Sequence, residues 1–215
     1  MKAMIHAVPK RMWYVDRFLV PSLIAQGITP VVYCDNAGRG NLGACLDSFR
    51  TMRGEGTWHI QDDVIISRRF AEQAEANDTG VCNGFCRTAW EDDPNTSGEV
   101  YAPDLWHSFQ CVRIPDDMAR DFVKWVETAQ HDSWTEILMK QNRGDDYIFR
   151  DYFLTVHGRE TVRNIAPNMV DHVDYLLGGS AVHGAHDLYR RSDLWEENDL
   201  VEELEKKIKS LNDRR

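Results

Sequence analysis

The spacing of apolar residues changes period several times along the chain, and the changes lay out alternating strands and helices. Lys2–Val8 is a short, mostly apolar run, as a buried strand would be. Val15, Phe18, Leu19, Leu23 and Ile24 then recur at helical spacing over Asp16–Ala25, with Pro21 as a kink or late helix break. Thr29–Cys34 (TPVVYC) is a second, β-branched strand that ends at Asp35-Asn36. A glycine-rich loop, Asn36–Gly43 (NAGRGNLG), leads into a helix with Leu42, Cys45, Leu46 and Phe49 on one face. Gly54 and Gly56 break the chain before a third strand, Thr57–Ile60, which stops at Gln61-Asp62-Asp63. Val64–Ile66 follows, Ser67 is placed to cap a helix running to about Ala76, and Gly80–Phe85 reads as a fourth strand.

Arg87–Leu105 is polar and aperiodic, a long excursion of the kind that often carries function. Beyond it the pattern gives a strand at Phe109–Ile114 and a helix started by Pro115, with Met118, Phe122, Trp125 and Val126 as its apolar face. A helix over Asp145–His157 and a strand over Thr161–Ile165 come next. After Trp195, Val201, Leu204, Ile208 and Leu211 recur in a 3-4-3 pattern. That predicts an amphipathic helix docked on its own domain, with a dimer seam as the alternative. The βαβαβ rhythm predicts a mixed, mostly parallel Rossmann-type sheet flanked by helices, with ligands at the carboxyl ends of its strands.

Composition narrows the class. The chain has 215 residues, 42% of them hydrophobic, and 25 Lys and Arg against 35 Asp and Glu give a net charge of −10. This is one ordinary globular domain, which excludes obligate disorder, collagen and a multidomain machine. No apolar run approaches the ~20 residues of a membrane span, and Met1–Val8 lacks the long apolar stretch of a secretory signal, so a cytoplasmic location is expected. The five cysteines are scattered with no CxxC pair, which predicts reduced core thiols and no structural zinc. The negative charge opposes nonspecific nucleic-acid binding.

Three segments could carry chemistry. Trp58–Phe70 (WHIQDDVIISRRF) runs an apolar strand straight into two carboxylates at the sheet rim, where hard oxygens could hold Mg²⁺ or Mn²⁺; the plainer alternative is a solvated turn. Gly144-Asp145-Asp146 opens a helix, where acids are already explained by capping and the helix dipole. Gly38, Gly40 and Gly43 satisfy GxGxxG between a strand and a helix, with Asp62-Asp63 about twenty residues on. That fingerprint keeps an NAD(P)-binding oxidoreductase as an alternative. Against it, the motif follows the second strand, and Asp35-Asn36 intervenes. No P-loop, GxSxG elbow or zinc-deaminase pattern occurs.

The opening MIHAVPKR, the VVYCDN strand end and the WHIQDDVIIS segment together resemble small GT-A-fold, nucleotide-sugar-dependent glycosyltransferases of bacterial and phage type. The resemblance spans roughly Met4–His183 and implies a transferase domain over 1–194 with a charged amphipathic C-terminal helix over 195–215. It implies a metal-dependent enzyme moving a sugar from a nucleoside-diphosphate donor, a UDP-sugar being expected, to an acceptor hydroxyl with inversion. His6, Ala7 and Val8 would lie beneath the nucleotide, with Arg11 and Arg39 near its phosphates. Asp35 and Asn36 would read base or ribose, and Gln61 and Asp62 would sit at the ribose or behind the metal. Asp63 would hold Mn²⁺ or Mg²⁺ with a late histidine, His172 or His183, His186 being a third candidate.

Asp146, slightly preferred over Asp145, would be the general base. Trp106 and His107 would face the acceptor, a saccharide or a hydroxylated DNA base. A monomer or weak dimer through the C-terminal helix is expected, in the bacterial host cytoplasm if the chain is phage-encoded. A metal-dependent phosphoesterase and a noncatalytic nucleotide- or sugar-binding module stay open beside the oxidoreductase.

Overall fold

The computed structural model describes residues 1–51, 56–86, 100–101, 109–158, 161–179, 192 and 194–213. Strand β1 (Lys2–Ala7) is followed by a helical rod made of α1 (Met12–Tyr14), a π-helical turn (Val15–Leu19) and α2 (Val20–Ala25). Pro21 does not end this rod. It cannot donate to the carbonyl four residues back, and the widened turn just ahead of it absorbs the missing bond. Strand β2 (Thr29–Cys34), helix α3 (Gly40–Thr51) and strands β3 (Thr57–Gln61) and β4 (Val64–Ile66) come next. Helix α4 (Phe70–Ala76) follows, then β5 (Cys82–Asn83), β6 (Val100–Tyr101), β7 (Cys111–Ile114) and helix α5 (Asp116–Thr128). Helices α6 (Ser133–Lys140) and α7 (Asp145–His157), strands β8 (Thr161–Asn164) and β9 (Val170–His172), a 3-10 turn (Asp174–Leu177) and α8 (Asn198–Asn212) complete the order.

Among the described residues the main sheet has seven strands in the order β2-β1-β3-β7-β5-β8-β6, and β4 pairs separately with β9. The chain leaves β1 toward β2 on one side and toward β3 on the other, both in parallel. This makes the carboxyl end of β1 the switch point where an open α/β sheet opens a crevice. β7 runs antiparallel between β3 and β5, β5 and β8 are parallel, and β6 is antiparallel to β8. The expected architecture, a mixed and mostly parallel sheet flanked by helices with a C-terminal helix, is therefore the one present.

Period-two alternation sorts the strands between two cores. Ala3, Ile5 and Ala7 of β1 and Trp58 and Ile60 of β3 face one core, with Leu19 and Leu23 of the first rod and Val201, Leu204 and Ile208 of α8. Val112 and Ile114 of β7 face the other, with Phe49 of α3, Phe122 of α5 and Phe149 and Tyr152 of α7. The apolar stripe of α8 thus packs on its own domain. Burying a large apolar side chain in either core contributes about 1.5–3 kcal/mol, so both layers are held by the sheet between them.

Several local expectations change. Ser67 does not cap α4: its hydroxyl meets Gln73, and the helix starts at Phe70 without a side-chain cap. The strand expected over Gly80–Phe85 is only Cys82–Asn83. Helix α6 was not expected, although Asp132 accepts from the Thr135 amide at 2.7 Å as an N-cap, a signal present in DSWTE. Most of Arg87–Leu105 lies outside the described residues.

Candidate functional site

The carboxyl ends of β1 and β3 meet at a buried ionic cluster. Arg11 lies in the short 3-10 turn Pro9–Arg11 that follows β1. Its Nη1 donates to Asp62 Oδ1 at 2.8 Å and to Asp63 Oδ2 at 2.6 Å, and its Nη2 donates to the Gly179 carbonyl at 3.0 Å. The Val8 amide donates to the remaining Asp62 oxygen, Oδ2, at 2.7 Å. His172, at the end of β9, places Nε2 3.3 Å from Asp63 Oδ2 and Nδ1 3.9 Å from Asp174 Oδ1. β9 is held there by its antiparallel register with β4, in which His172 lies opposite Val64, and by the Val173 amide donating to the Asp63 carbonyl.

Arg11, Asp62, Asp63, His172 and Asp174 are all buried residues, so their charges are kept by one another. Burial works against the Arg11 charge, but Asp63 and Asp62 hold the guanidinium protonated. Burial also works against ionisation of Asp63, yet His172 and Arg11 beside it hold its carboxyl well below the usual range. Asp62, pushed the other way by burial and by the charge of Asp63, rises to about 6. His172 is raised despite its burial, through Asp63 first and Asp174 after it.

On the opposite face of the same strand ends lies a small cleft lined by His6, His59, Gln61, Phe49, Phe109 and Asp145. The β1–β3 register sets Met4 against His59 and His6 against Gln61, which brings the two imidazoles onto one face. His6 Nε2 is 3.0 Å from His59 Nδ1 and 2.6 Å from Ser48 Oγ, and the Ser48 hydroxyl donates to the Cys45 carbonyl at 2.8 Å. Ser48 Oγ and His59 Nδ1 are thus the two polar partners of His6 Nε2. Burial lowers His6 to about 4 and lowers His59 as well, so both are neutral near pH 7. Asp145, at the start of α7 and 7% exposed, is pushed up to about 7 by burial and by the adjacent Asp146. Asp146 is the more open of the two and accepts from the Tyr147 amide at 2.9 Å.

A third group caps α3. Asp35 accepts from the Arg39 amide at 2.8 Å and the Gly40 amide at 3.0 Å, which is the turn-forming role rather than a free base-reading carboxylate. Arg39 turns its guanidinium to Asp47 at 3.1 Å, and exposed Asn36 sits beside Cys34. The glycine loop closes on protein. Asn142 accepts from the Gly43 amide at 2.9 Å and donates to the Arg39 carbonyl, and a Cβ at Gly40 would collide with the Asn142 side chain. The close approach that GxGxxG gives a pyrophosphate is taken here by Asn142, which removes the ground for the oxidoreductase alternative.

The structure therefore brings Val8, Arg11, Asp62, Asp63 and His172 into one cluster. It places His6 with Gln61 and Asp145 in the cleft on the opposite face, leaves Ala7 in the first core, and sets Asp35, Asn36 and Arg39 at the tip of β2. Trp106, His107, His183 and His186 lie outside the described residues. Sequence reasoning missed His59, Ser48, Asp174 and Asn142. His59 was findable, since strand alternation in HIQ puts it on the face of Gln61.

Donor atoms decide whether Mg²⁺ or Mn²⁺ fits at Asp63, because a divalent ion needs anionic oxygens with free lone-pair directions. Both oxygens of Asp62 are engaged, and Asp63 Oδ2 is shared by Arg11 and His172. Asp63 Oδ1 alone in this set is buried without a partner, and among the described residues no three His, Cys, Asp or Glu side chains group as ligands. The ion expected on Asp63 and His172 thus lacks a fitting donor set.

No protein-family model matches this chain, and no curated protein does. Among solved structures it is similar to A197 from STIV, at TM-score 0.40 and 14% identity over 80% of this chain and 84% of that one. It is also similar to the inositol-1-phosphate CTP transferase from T. maritima, at TM-score 0.41 and 11% identity over 97% of this chain and 77% of that one. Likeness at this level carries no activity across. No helix among the described residues is long and apolar enough to cross a membrane.

Proposed function

We propose that this chain is a glycosyltransferase that moves a sugar from a nucleoside-diphosphate donor, a UDP-sugar, to an acceptor hydroxyl. One observation carries the reading: the switch point of the sheet gathers Arg11, Asp62, Asp63 and His172, with a buried, near-neutral carboxyl, Asp145, across the strand ends. Crevices at this place in open α/β sheets are where nucleotides bind.

A general base works best when its pKa lies near the working pH. Asp145, at about 7, meets that condition and faces the cleft, so the base is assigned to Asp145 rather than to the Asp146 preferred from sequence. In the transfer, the acceptor O–H proton passes to the Asp145 carboxylate as the oxygen attacks the anomeric carbon. The bond to the diphosphate breaks with its electron pair on the leaving oxygen, inverting the anomeric centre. The acceptor is a saccharide or a hydroxylated base in DNA.

The experiment is a panel of UDP-, GDP-, CMP- and TDP-sugars scored for thermal stabilisation and nucleotide release. Stabilisation by one donor with slow hydrolysis, abolished by Asp145→Asn, is the expected result, and NMR of the first product should show the anomeric configuration inverted. Stabilisation with no turnover toward any acceptor would mean a binding module, and no response to any donor would overturn the reading.

A further inference from the structure

We infer that the Arg11 guanidinium fills the place between Asp62 and Asp63 that a divalent cation would need, so that this chain takes its nucleotide without a metal ion. The statement about Arg11 concerns the chain alone; the statement about the nucleotide rests on the transferase reading.

The geometry is that of a cation bridging two carboxylates. A single nitrogen, Nη1, lies within 2.8 Å of an oxygen of each aspartate, which is the bridging position an ion would take up. Arg11 is anchored on the far side by the Gly179 carbonyl, and it is only 6% exposed, so it does not swing freely into solvent. Its Nε–H is buried without a partner, and Asp63 Oδ1 is buried without one either. The guanidinium thus keeps its Nε–H unspent after satisfying both acids, as a group that also meets an anionic ligand would.

Charge balance points the same way. Arg11 is the buried cation that already meets both Asp62 and Asp63, and an incoming divalent ion would strip it of those counter-ions, the most unfavourable way to open a buried ion pair. Arg11 sits three residues beyond Val8, whose amide completes Asp62, so the same short turn that places the cation also closes the second acid.

The test reads Mn²⁺ binding directly, by loss of the free-ion electron paramagnetic resonance signal, with the intact chain and no donor. The wild type should leave the Mn²⁺ signal unchanged. Arg11→Gln, which frees both acids, should gain Mn²⁺ affinity by at least about tenfold and be thermally stabilised by the ion. Should Arg11→Gln not fold, Arg11→Met serves, because it also removes the cation between the two acids while filling most of the side chain's volume, and the same gain is expected. Wild-type Mn²⁺ binding that Asp63→Asn abolishes would overturn the inference. So would a folded Arg11→Gln that gains nothing.

A parallel arm measures UDP affinity in EDTA and in Mn²⁺. Equal affinity supports the inference, and affinity seen only with Mn²⁺ overturns it while sustaining the transferase reading. Absence of UDP binding in both would sink the donor assignment, and the Mn²⁺ titration would still decide the role of Arg11.

Discussion

On one side of β1 and β3, Arg11, Asp62, Asp63 and His172 are buried as charges; on the other, His6, His59 and Asp145 are buried as groups driven toward neutrality. Both sets end at the same sheet edge and are comparably dry. What differs is the company. The first set has counter-ions within 3.3 Å, whereas the imidazoles lie against Phe49, at 4.4 Å from His59 and 6.3 Å from His6, and against each other. Desolvation acts on all of these groups, and only pairing reverses its outcome. The same strand ends thus carry fixed, paired charge on one face and a carboxyl able to exchange a proton near pH 7 on the other.

The largest effect expected from breaking this contrast is the loss of Arg11. Arg11→Gln leaves two adjacent carboxylates buried with one cation short, which should cost about 3–5 kcal/mol and lower the unfolding midpoint by roughly 10 °C. The pH dependence should change as well. In the wild type the folded Asp63 carboxyl lies below its unfolded value, so its stabilisation is present above roughly pH 4 and lost as pH falls further. Without Arg11 the acids are raised, and the variant should regain stability as pH drops through the value of about 6 already seen for Asp62. Urea unfolding at a series of pH values checks both slopes, and an Arg11→Gln curve parallel to wild type would refute the paired-charge account.

The neutral side should respond in the opposite sense. Asp145 folds with its carboxyl near 7, above the unfolded value of roughly 3.9, so its ionisation removes stability as pH rises from about 4 to 7. Asp145→Asn should therefore be more stable than wild type at pH 8, by roughly 2–4 kcal/mol, and equal to it near pH 4. The same variant should be inactive, which is the trade expected where a strained group serves catalysis. A smaller effect belongs to Ser48→Ala, which removes one of the two polar partners of His6 Nε2 and should cost about 1 kcal/mol in chemical denaturation.

How much of this could be read in the sequence follows from what each level encodes. Element type was legible wherever periodicity was strong: Asp145–His157 and Thr29–Cys34 are the full extents of α7 and β2, and the α8 stripe was visible in its 3-4-3 spacing. Short elements set by pairing were not, because Cys82–Asn83 is a strand only through β7 and β8 on either side. At the site, QDD at a strand end was visible as an acidic rim, but its meaning depended on Arg11, some fifty residues away in sequence. No local pattern says whether two acids face a metal, a solvent shell or a guanidinium. The glycine loop misled for the same reason, since its partner, Asn142, lies about a hundred residues further on.

The smallest effect expected serves as the surface control for the first. Arg68, like Arg11, meets two carboxylates, with its Nη2 2.8 Å from Asp199 and its Nη1 3.7 Å from Glu197, and so links the start of α4 to the start of α8. Its side chain is half exposed, and water and salt screen a pair in that position. The stripe of Val201, Leu204 and Ile208 already holds α8 in the core, so the ion pair has little left to decide. Arg68→Ala should shift the thermal midpoint by less than about 1 °C, with the small shift vanishing in high salt. A drop comparable to that of Arg11→Gln would mean that the number of carboxylates around an arginine, and not their burial, sets the cost, and the contrast drawn between the two sides of β1 would fail with it.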